Sequence, residues 1–362
     1  MTAASTNFPL DLARRLGCST EAVALCRSAE LIDLHIDTMI PARIWNYDPL
    51  KRHRNWLLGR HFFTHLDLPR MQDSGMSGAM WSITTNPFRS AKSRWRIFQS
   101  NLEALNRLCL RSRGQLERVR THAEYEKARE RGAQACLFSI QGGNALEAAP
   151  EGPLSIPDSS VTRITLVHLT NAVYGATSTP SLRRDKGLTP KGKSMIEACN
   201  AARIFVDLAH IHPTSFWDVI DIHDKSQPLI DTHTGCSGVR SHWRNLDDRQ
   251  MKAIANTGGV VGIIFAANYV QRRGGPKTAE MIVEHIAHAI SIIGEDSVAI
   301  GSDFDGFITP PAELRSGDAY PILVQRMLDR NWSETRIRKI LGLNFLNAFR
   351  RIRPNASVLP TP

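Results

Sequence analysis

Apolar residues along this chain come in short, nearly continuous bursts separated by longer stretches with helical spacing. Eight bursts suit strands buried on both faces. They are LIDLHID (31–37), GAMWSIT (78–84), ACLFSI (135–140), ITLVHLT (164–170), RIFVDLAH (203–210), PLIDTH (228–233), GVVGIIFAA (259–267) and SVAIGSDFD (297–305). Helical start and stop signals fill the gaps. Thr121 and Glu124 have capping-box spacing, and Gly132 ends that helix before the third strand. Thr189-Pro190 opens a helix through SMIEACNAA, with proline where its missing N–H costs nothing. EMIVEHIAHAISII is apolar at helical spacing and stops at Gly294.

Strand and helix alternate through most of the chain, which predicts a parallel sheet with crossover helices. Eight units favour an α/β fold closed into a single (β/α)8 TIM-type barrel. The rival, an open doubly wound sheet, lacks a G-x-G-x-x-G after the first strand. Residues 1–30 read as an N-terminal helical extension, 31–353 as the barrel with two closing helices over 320–353, and 354–362 as a flexible tail.

The active site of such a barrel forms at the carboxyl ends of its strands. Strand one offers His35 and Asp37, two apart and so on one face. Strand three offers Gln141, strand four His168, strand five His210, strand six His233, and strand eight Asp303 with Asp305. Imidazoles and carboxylates converging on one mouth suit zinc or a similar divalent ion. Taken singly, His168, His210 and His233 are each better explained by a hydrogen-bonded place in the core, and a lone His-x-Asp is a weak signal. Four of the 13 histidines at the ends of different strands form a pattern that the core explanation does not account for. His212, His223, His285 and His288 fall in loop or helix and keep the core or surface assignment, and Asp305 is assigned a structural role.

In this order the residues resemble the membrane dipeptidase (renal dipeptidase) family of metallopeptidases. The likeness runs from about Leu31 to Arg353 and is carried by LIDLHIDTM, HLDLPRMQDSGMSGAMWS, IQGGNALE, TLVHLTN, GLTPKGKSMIEACN with VDLAHI, DTHTGCSGVRSHWRNLDD, GGVVGI, IGSDFDG and RNWSETRIRKILGLNFL. The resemblance implies an amidohydrolase-type barrel, two zinc ions and hydrolysis of dipeptides, including those with a D-residue at the C-terminal position. It further implies His35 and Asp37 as ligands of one ion and His210 and His233 as ligands of the other. His168 matches the histidine that contacts the scissile group, Arg244 the arginine that takes the substrate carboxylate, and Asp303 the acid that handles the proton. These roles are chemically sound: zinc lowers the pKa of water, a neighbouring carboxylate can take its proton, and an arginine fork matches a carboxylate.

The chain departs from the family pattern in three places. Gln141 stands where the family has the glutamate that bridges both ions. A carboxylate bridges two cations through two anionic oxygens, whereas an amide offers one neutral oxygen. With glutamate, two Zn²⁺, an aspartate and a hydroxide sum to about +1; with glutamine the sum is about +2, so a second ion should bind more weakly. Asn144 replaces a histidine after the two glycines. Ile264-Phe265-Ala266 replaces Asn-Phe-Tyr, with Tyr269 three residues late as the candidate substrate contact. Both sites are expected to border the substrate pocket.

Composition narrows the remaining choices. The 362 residues are 42% hydrophobic and 22% charged, with a formal charge of +10. Basic clusters at 51–54, 89–96 and 182–186 read as solvated surface, since no nucleic-acid motif accompanies them. Six cysteines without a C-x-x-C pair read as free thiols in a reducing compartment. No stretch reads as a secretory signal or bilayer span, so the expected location is the cytoplasm, without nucleic-acid or membrane partners. A homodimer is left open. The leading expectation is a metal-dependent dipeptidase using Zn²⁺, one ion or two, on a dipeptide-like substrate with a free carboxylate. The alternatives are a one-metal amidohydrolase or biosynthetic tailoring enzyme acting on a modified peptide, and a non-hydrolytic binding protein on the same scaffold.

Overall fold

The computed structural model describes residues 8–54, 60–180 and 187–360. Among the described residues there are nine strands: β1 (Leu31–Ile36), β2 (Met76–Thr84), β3 (Leu116–Arg118), β4 (Gln134–Gln141), β5 (Val161–Thr165), β6 (Phe205–Asp207), β7 (Ile230–Thr234), β8 (Val260–Ile263) and β9 (Val298–Ile300). Eight pair in parallel in the order β1-β2-β4-β5-β6-β7-β8-β9, and β3 adds to β4 on the side. Closure comes just beyond the last strand. The Asp37 amide donates to the Phe304 carbonyl (2.8 Å) and the Asp303 amide to the His35 carbonyl (3.0 Å). The sheet is thus an α/β barrel of eight parallel strands with helices around it.

The predicted strands are present with shifted ends, β2 and β4 longer than expected and β6, β8 and β9 shorter, and β3 was not anticipated. Runs 164–170 and 297–305 are corrected most. β5 lies earlier, at Val161–Thr165, and β9 stops at Ile300, so His168 and Asp303 sit on loops three residues past their strands. The helix at Pro190–Ala201 opens at Thr189 as expected, and that at Glu280–Ile293 stops at Gly294 as expected. At Thr121 only half of the capping box forms. Thr121 Oγ1 accepts the Glu124 amide (3.2 Å), but the Glu124 carboxylate accepts the amide of Arg120 (2.7 Å).

The last helix, Asn344–Ile352, closes the amino-terminal end of the barrel. Its Phe345 and Phe349 lie in one buried cluster with Phe205, Ile230, Val260 and Ala299, residues at or next to the start of their strands. Arg353 then ties this helix to the loops beneath, donating to the carbonyls of Arg203 (2.5 Å), Ser159 (3.0 Å) and Ala202 (3.3 Å). Plugging that end leaves the carboxyl ends of the strands as the open face. Helices Phe8–Leu16 and Thr20–Ser28 precede the barrel, and a 3-10 turn at Ala356–Val358 follows it. Among the described residues no helix is long and apolar enough to cross a membrane. All six cysteines are free thiols.

The basic clusters fare differently. Lys51, Arg52 and Arg54 are exposed, whereas Arg94 of the second cluster is buried, which corrects the surface assignment for that residue. Its guanidinium donates to the Asn144 carbonyl (3.0 Å) and pairs with Glu147, bracing the turn that follows Gln141. Cluster 182–186 lies outside the described residues.

Candidate metal centre

Strand register sets the height of each polar side chain. Gln141 is in register with Thr84 on one side and Thr165 on the other, and Thr165 with Asp207. One layer across β2, β4, β5 and β6 is therefore polar, where a barrel interior is usually packed with branched apolar residues. Gly142 follows Gln141 with φ of +94°, a conformation that a side chain resists, and the chain turns away there.

Three nitrogen atoms meet at this layer. His210 Nε2 lies 3.0 Å from His233 Nε2, and Gln141 Nε2 lies 3.3 Å from the first and 3.4 Å from the second. Ligands about 2.0–2.1 Å from a tetrahedral ion stand roughly 3.3 Å apart. The Gln141 oxygen as placed shares the single hydrogen of Thr84 Oγ1 with Asp37 Oδ1, both at 3.1 Å. Rotating the amide by half a turn resolves that competition. The NH₂ then donates to Thr84, the hydroxyl donates to Asp37, and Oε1 faces the two imidazoles, ready to ligate.

His233 is held in the tautomer a ligand needs. Its Nδ1 lies 2.8 Å from Thr232 Oγ1, and that hydroxyl donates to Asp207 Oδ2 at 2.8 Å. Because the threonine hydrogen is committed to the carboxylate, the imidazole hydrogen must sit on Nδ1, which leaves the Nε2 lone pair free. His210 comes from a residue with φ of +66°, fixed by hydrogen bonds from Ser178 N (2.8 Å) and Thr177 Oγ1 (3.3 Å) to its carbonyl.

The other half of the site holds His35, Asp37 and Asp303. His35 Nε2 is 3.5 Å from Asp37 Oδ2 and 3.6 Å from Asp303 Oδ1, and it has no hydrogen-bond partner. The His35 ring stacks on that of His233 with centroids 3.9 Å apart. His35, His233 and Asp303 together present ligand atoms within 4.8 Å of one another, a looser set than the first. On the far side of His35 stands Arg163, fully buried, whose Nη2 is 2.6 Å from His35 Nδ1. Its Nη1 donates to Thr165 Oγ1 (2.6 Å) and Ile140 O (3.1 Å) and lies 3.4 Å from Asp207. Asp305 faces away, accepting from Thr38 Oγ1 (2.7 Å) and the His65 amide (2.8 Å), in the structural role assigned to it.

Burial governs the electrostatics. It holds the pKa values of His210 and His233 well below the usual imidazole range, and Arg244 pushes in the same direction, so both rings are neutral. His168 is brought down to about 4 by burial, against the pull of Asp37. Burial and then the neighbouring Asp37 raise Asp303, which weakens its acidity.

Around this centre, His168 meets His210 edge to face with ring centroids 4.7 Å apart. Arg244 is buried, and its Nη2 donates to the His233 carbonyl (2.6 Å) while Nε has no partner. Tyr269 stacks on His242 (4.7 Å) and meets Trp243 edge-on (5.9 Å), so it flanks the loop that carries Arg244. Asn144 is half-buried, and its Oδ1 accepts the Val173 amide (3.3 Å). Ile264, Phe265 and Ala266 are fully buried in the main core, where Phe265 packs on Phe304 and Tyr320 (5.6 and 5.7 Å). The expectation that these three border the pocket is corrected: their side chains serve packing.

Sequence reasoning missed the supporting layer. Asp33 and Asp231 each stand two residues before a site histidine, on the same face by strand alternation, and that period was a usable signal. Arg163 was left just outside the expected fourth strand, although an arginine at the edge of ITLV is itself a signal.

Comparison with known proteins identifies the family. The model of the membrane dipeptidase family (peptidase family M19) matches residues 19–362. The chain belongs to this family. It is 28% identical to dipeptidase verJ of Clonostachys rogersoniana over 292 residues, 78% of this chain and 74% of that one. It is 25% identical to human dipeptidase 3 over 360 residues, 97% of this chain and 70% of that one. Among solved structures, a Rhodobacter sphaeroides metallopeptidase bound to a phosphinate mimic of L-Ala-D-Ala superposes with a TM-score of 0.79 at 25% identity. That match covers 89% of this chain and 99% of the other. As a membrane dipeptidase family member the chain is a metal-dependent hydrolase of dipeptide bonds.

Proposed function

We propose that this dipeptidase uses zinc to cleave dipeptides, or small amides like them, that carry a free C-terminal carboxylate. The observation that carries the proposal is the meeting of the Gln141, His210 and His233 donor atoms at 3.0–3.4 Å, with Asp37, Asp303 and Arg244 around them. Two neutral imidazoles with an amide oxygen suit a borderline-soft ion such as zinc. When bound, such an ion supplies Lewis-acid polarisation of the scissile carbonyl and lowers the pKa of water.

The chain's own residues would do the rest. Asp303, whose acidity is weakened by burial and by Asp37, is suited to take a proton from water and return it to the leaving amine. A neutral His168 at the mouth can donate one hydrogen bond to the carbonyl oxygen as charge builds on it. Arg244, with Nε free, can pair with the substrate carboxylate, and Tyr269 flanks that end. His35 and Asp37 stand beside this set, His35 stacked on His233 and Asp37 next to Thr84.

The test is metal analysis of the purified chain combined with a panel of L,L- and L,D-dipeptides, for wild type and Gln141→Glu. Zinc-dependent turnover in the wild type is the expected outcome. Absence of turnover by both proteins with zinc, manganese or cobalt would sink the proposal.

A further inference from the structure

We infer that Arg163 converts this centre to a single-ion site: by donating to His35 Nδ1 it withdraws His35 from metal ligation and stands as a fixed charge in place of a second cation. The inference rests on the metal-centre reading above and sharpens it.

The geometry is an argument about donor direction. A guanidinium only donates, so His35 Nδ1, 2.6 Å from Nη2, must accept. A neutral imidazole that accepts at Nδ1 carries its hydrogen on Nε2. That N–H points toward Asp37 and Asp303, at 3.5 and 3.6 Å, and has no lone pair to offer an ion. His233 shows the opposite arrangement in the same barrel, since its Nδ1 hydrogen is held by Thr232 and its Nε2 is free. A ligating histidine normally gives its second N–H to a carboxylate or carbonyl; His35 instead receives one.

Arg163 is not free to move aside. It is fully buried, and its Nη1 is anchored by Thr165 and Ile140 and paired with Asp207. Charge points the same way. Glutamine at 141 has already removed one negative charge, and Arg163, though its Nη1 is paired with Asp207, turns the positive edge of its Nη2 toward His35. A second divalent ion would add two more beside His35, whereas leaving it out relieves the excess. Gln141 and Arg163 therefore act together: the first no longer bridges, and the second occupies the back of the ligand that the second ion would need.

The experiment is zinc titration of the full-length chain followed by native mass spectrometry and elemental analysis, for wild type, Gln141→Glu, and the Gln141→Glu/Arg163→Met double variant. The wild type should hold one ion tightly. Gln141→Glu alone should still hold one, and the double variant should take up a second, with affinity at that position raised roughly 10- to 100-fold. Long-range ¹H–¹⁵N NMR on the one-ion wild type should place the His35 hydrogen on Nε2, a reading that needs no variant to fold. A hydrogen on Nδ1, two tight ions in the wild type, or a second ion in Gln141→Glu alone would each overturn the role of Arg163 and leave the dipeptidase assignment standing. A wild type that binds no ion would overturn both.

Discussion

Replacing Arg244 by methionine gives the sharpest test of how the substrate is held. The guanidinium has five N–H donors; Nη2 is engaged with the His233 carbonyl at 2.6 Å, and Nε is buried without a partner. A carboxylate accepting two charge-assisted hydrogen bonds there would gain about 1.5–3 kcal/mol from each. Losing both costs about 3–6 kcal/mol, or roughly 10²- to 10⁴-fold in kcat/KM. The loss should appear mainly in KM, because the carboxylate is present equally in ground and transition states. The variant also removes the donor to the His233 carbonyl, a disturbance that would slow every substrate alike. The assay therefore pairs a free dipeptide with its C-terminal amide. Arg244→Met should depress kcat/KM for the free acid by the stated factor and for the amide by less than about tenfold. Arg244→Lys, which keeps the charge and loses the fork, should fall between. Equal losses on acid and amide would remove Arg244 from carboxylate binding.

Four further outcomes follow from the packing. Dialysis against a chelator should abolish turnover and lower the melting temperature, since free ion at 100 times its Kd stabilises by about 2.7 kcal/mol; an unchanged melting curve would mean the ion is not held by the fold. Gly301→Ala would place a Cβ 1.8 Å from the Thr232 carbonyl, next to His233, so a loss of about 1–3 kcal/mol in denaturant and weaker zinc uptake are expected. His285 accepts from Cys236 N (2.8 Å) and donates to Val270 O (2.9 Å), and burial holds its pKa down to about 4. A depressed histidine contributes stability above its unfolded pKa near 6.5 and loses it as pH falls toward 4, on the order of 3 kcal/mol. The stability gap between wild type and His285→Gln should therefore narrow over that window, and parallel curves would contradict the assignment. Arg353→Met should cost at least about 3 kcal/mol in urea while KM stays unchanged, because it breaks a buried clamp at the closed end of the barrel.

Much of this site was legible because strand alternation is a local rule. His35, Gln141 and His233 lie within strands, so period and strand order were enough to bring them to one mouth. His168, His210 and Asp303 were assigned to strands that end three residues earlier, because loops that continue an apolar run carry no local mark of where pairing stops. Ile264–Ala266 misled for a related reason. Position after a strand suggested a place at the rim, but the neighbours that bury Phe265, Phe304 and Tyr320, are some 40 and 55 residues away in sequence.

The chain by itself determined the eight apolar strands, their parallel order, the family likeness and the substitution of glutamine for a bridging carboxylate. Only the tertiary structure decided which imidazoles offer a lone pair. His233 owes its free Nε2 to Thr232 and Asp207, and His35 faces an arginine 128 residues distant. The direction of a hydrogen bond depends on what lies across the barrel, and no local pattern encodes it. The tertiary contacts of His35 and Gln141, not their spacing in sequence, therefore set how this centre would hold its metal.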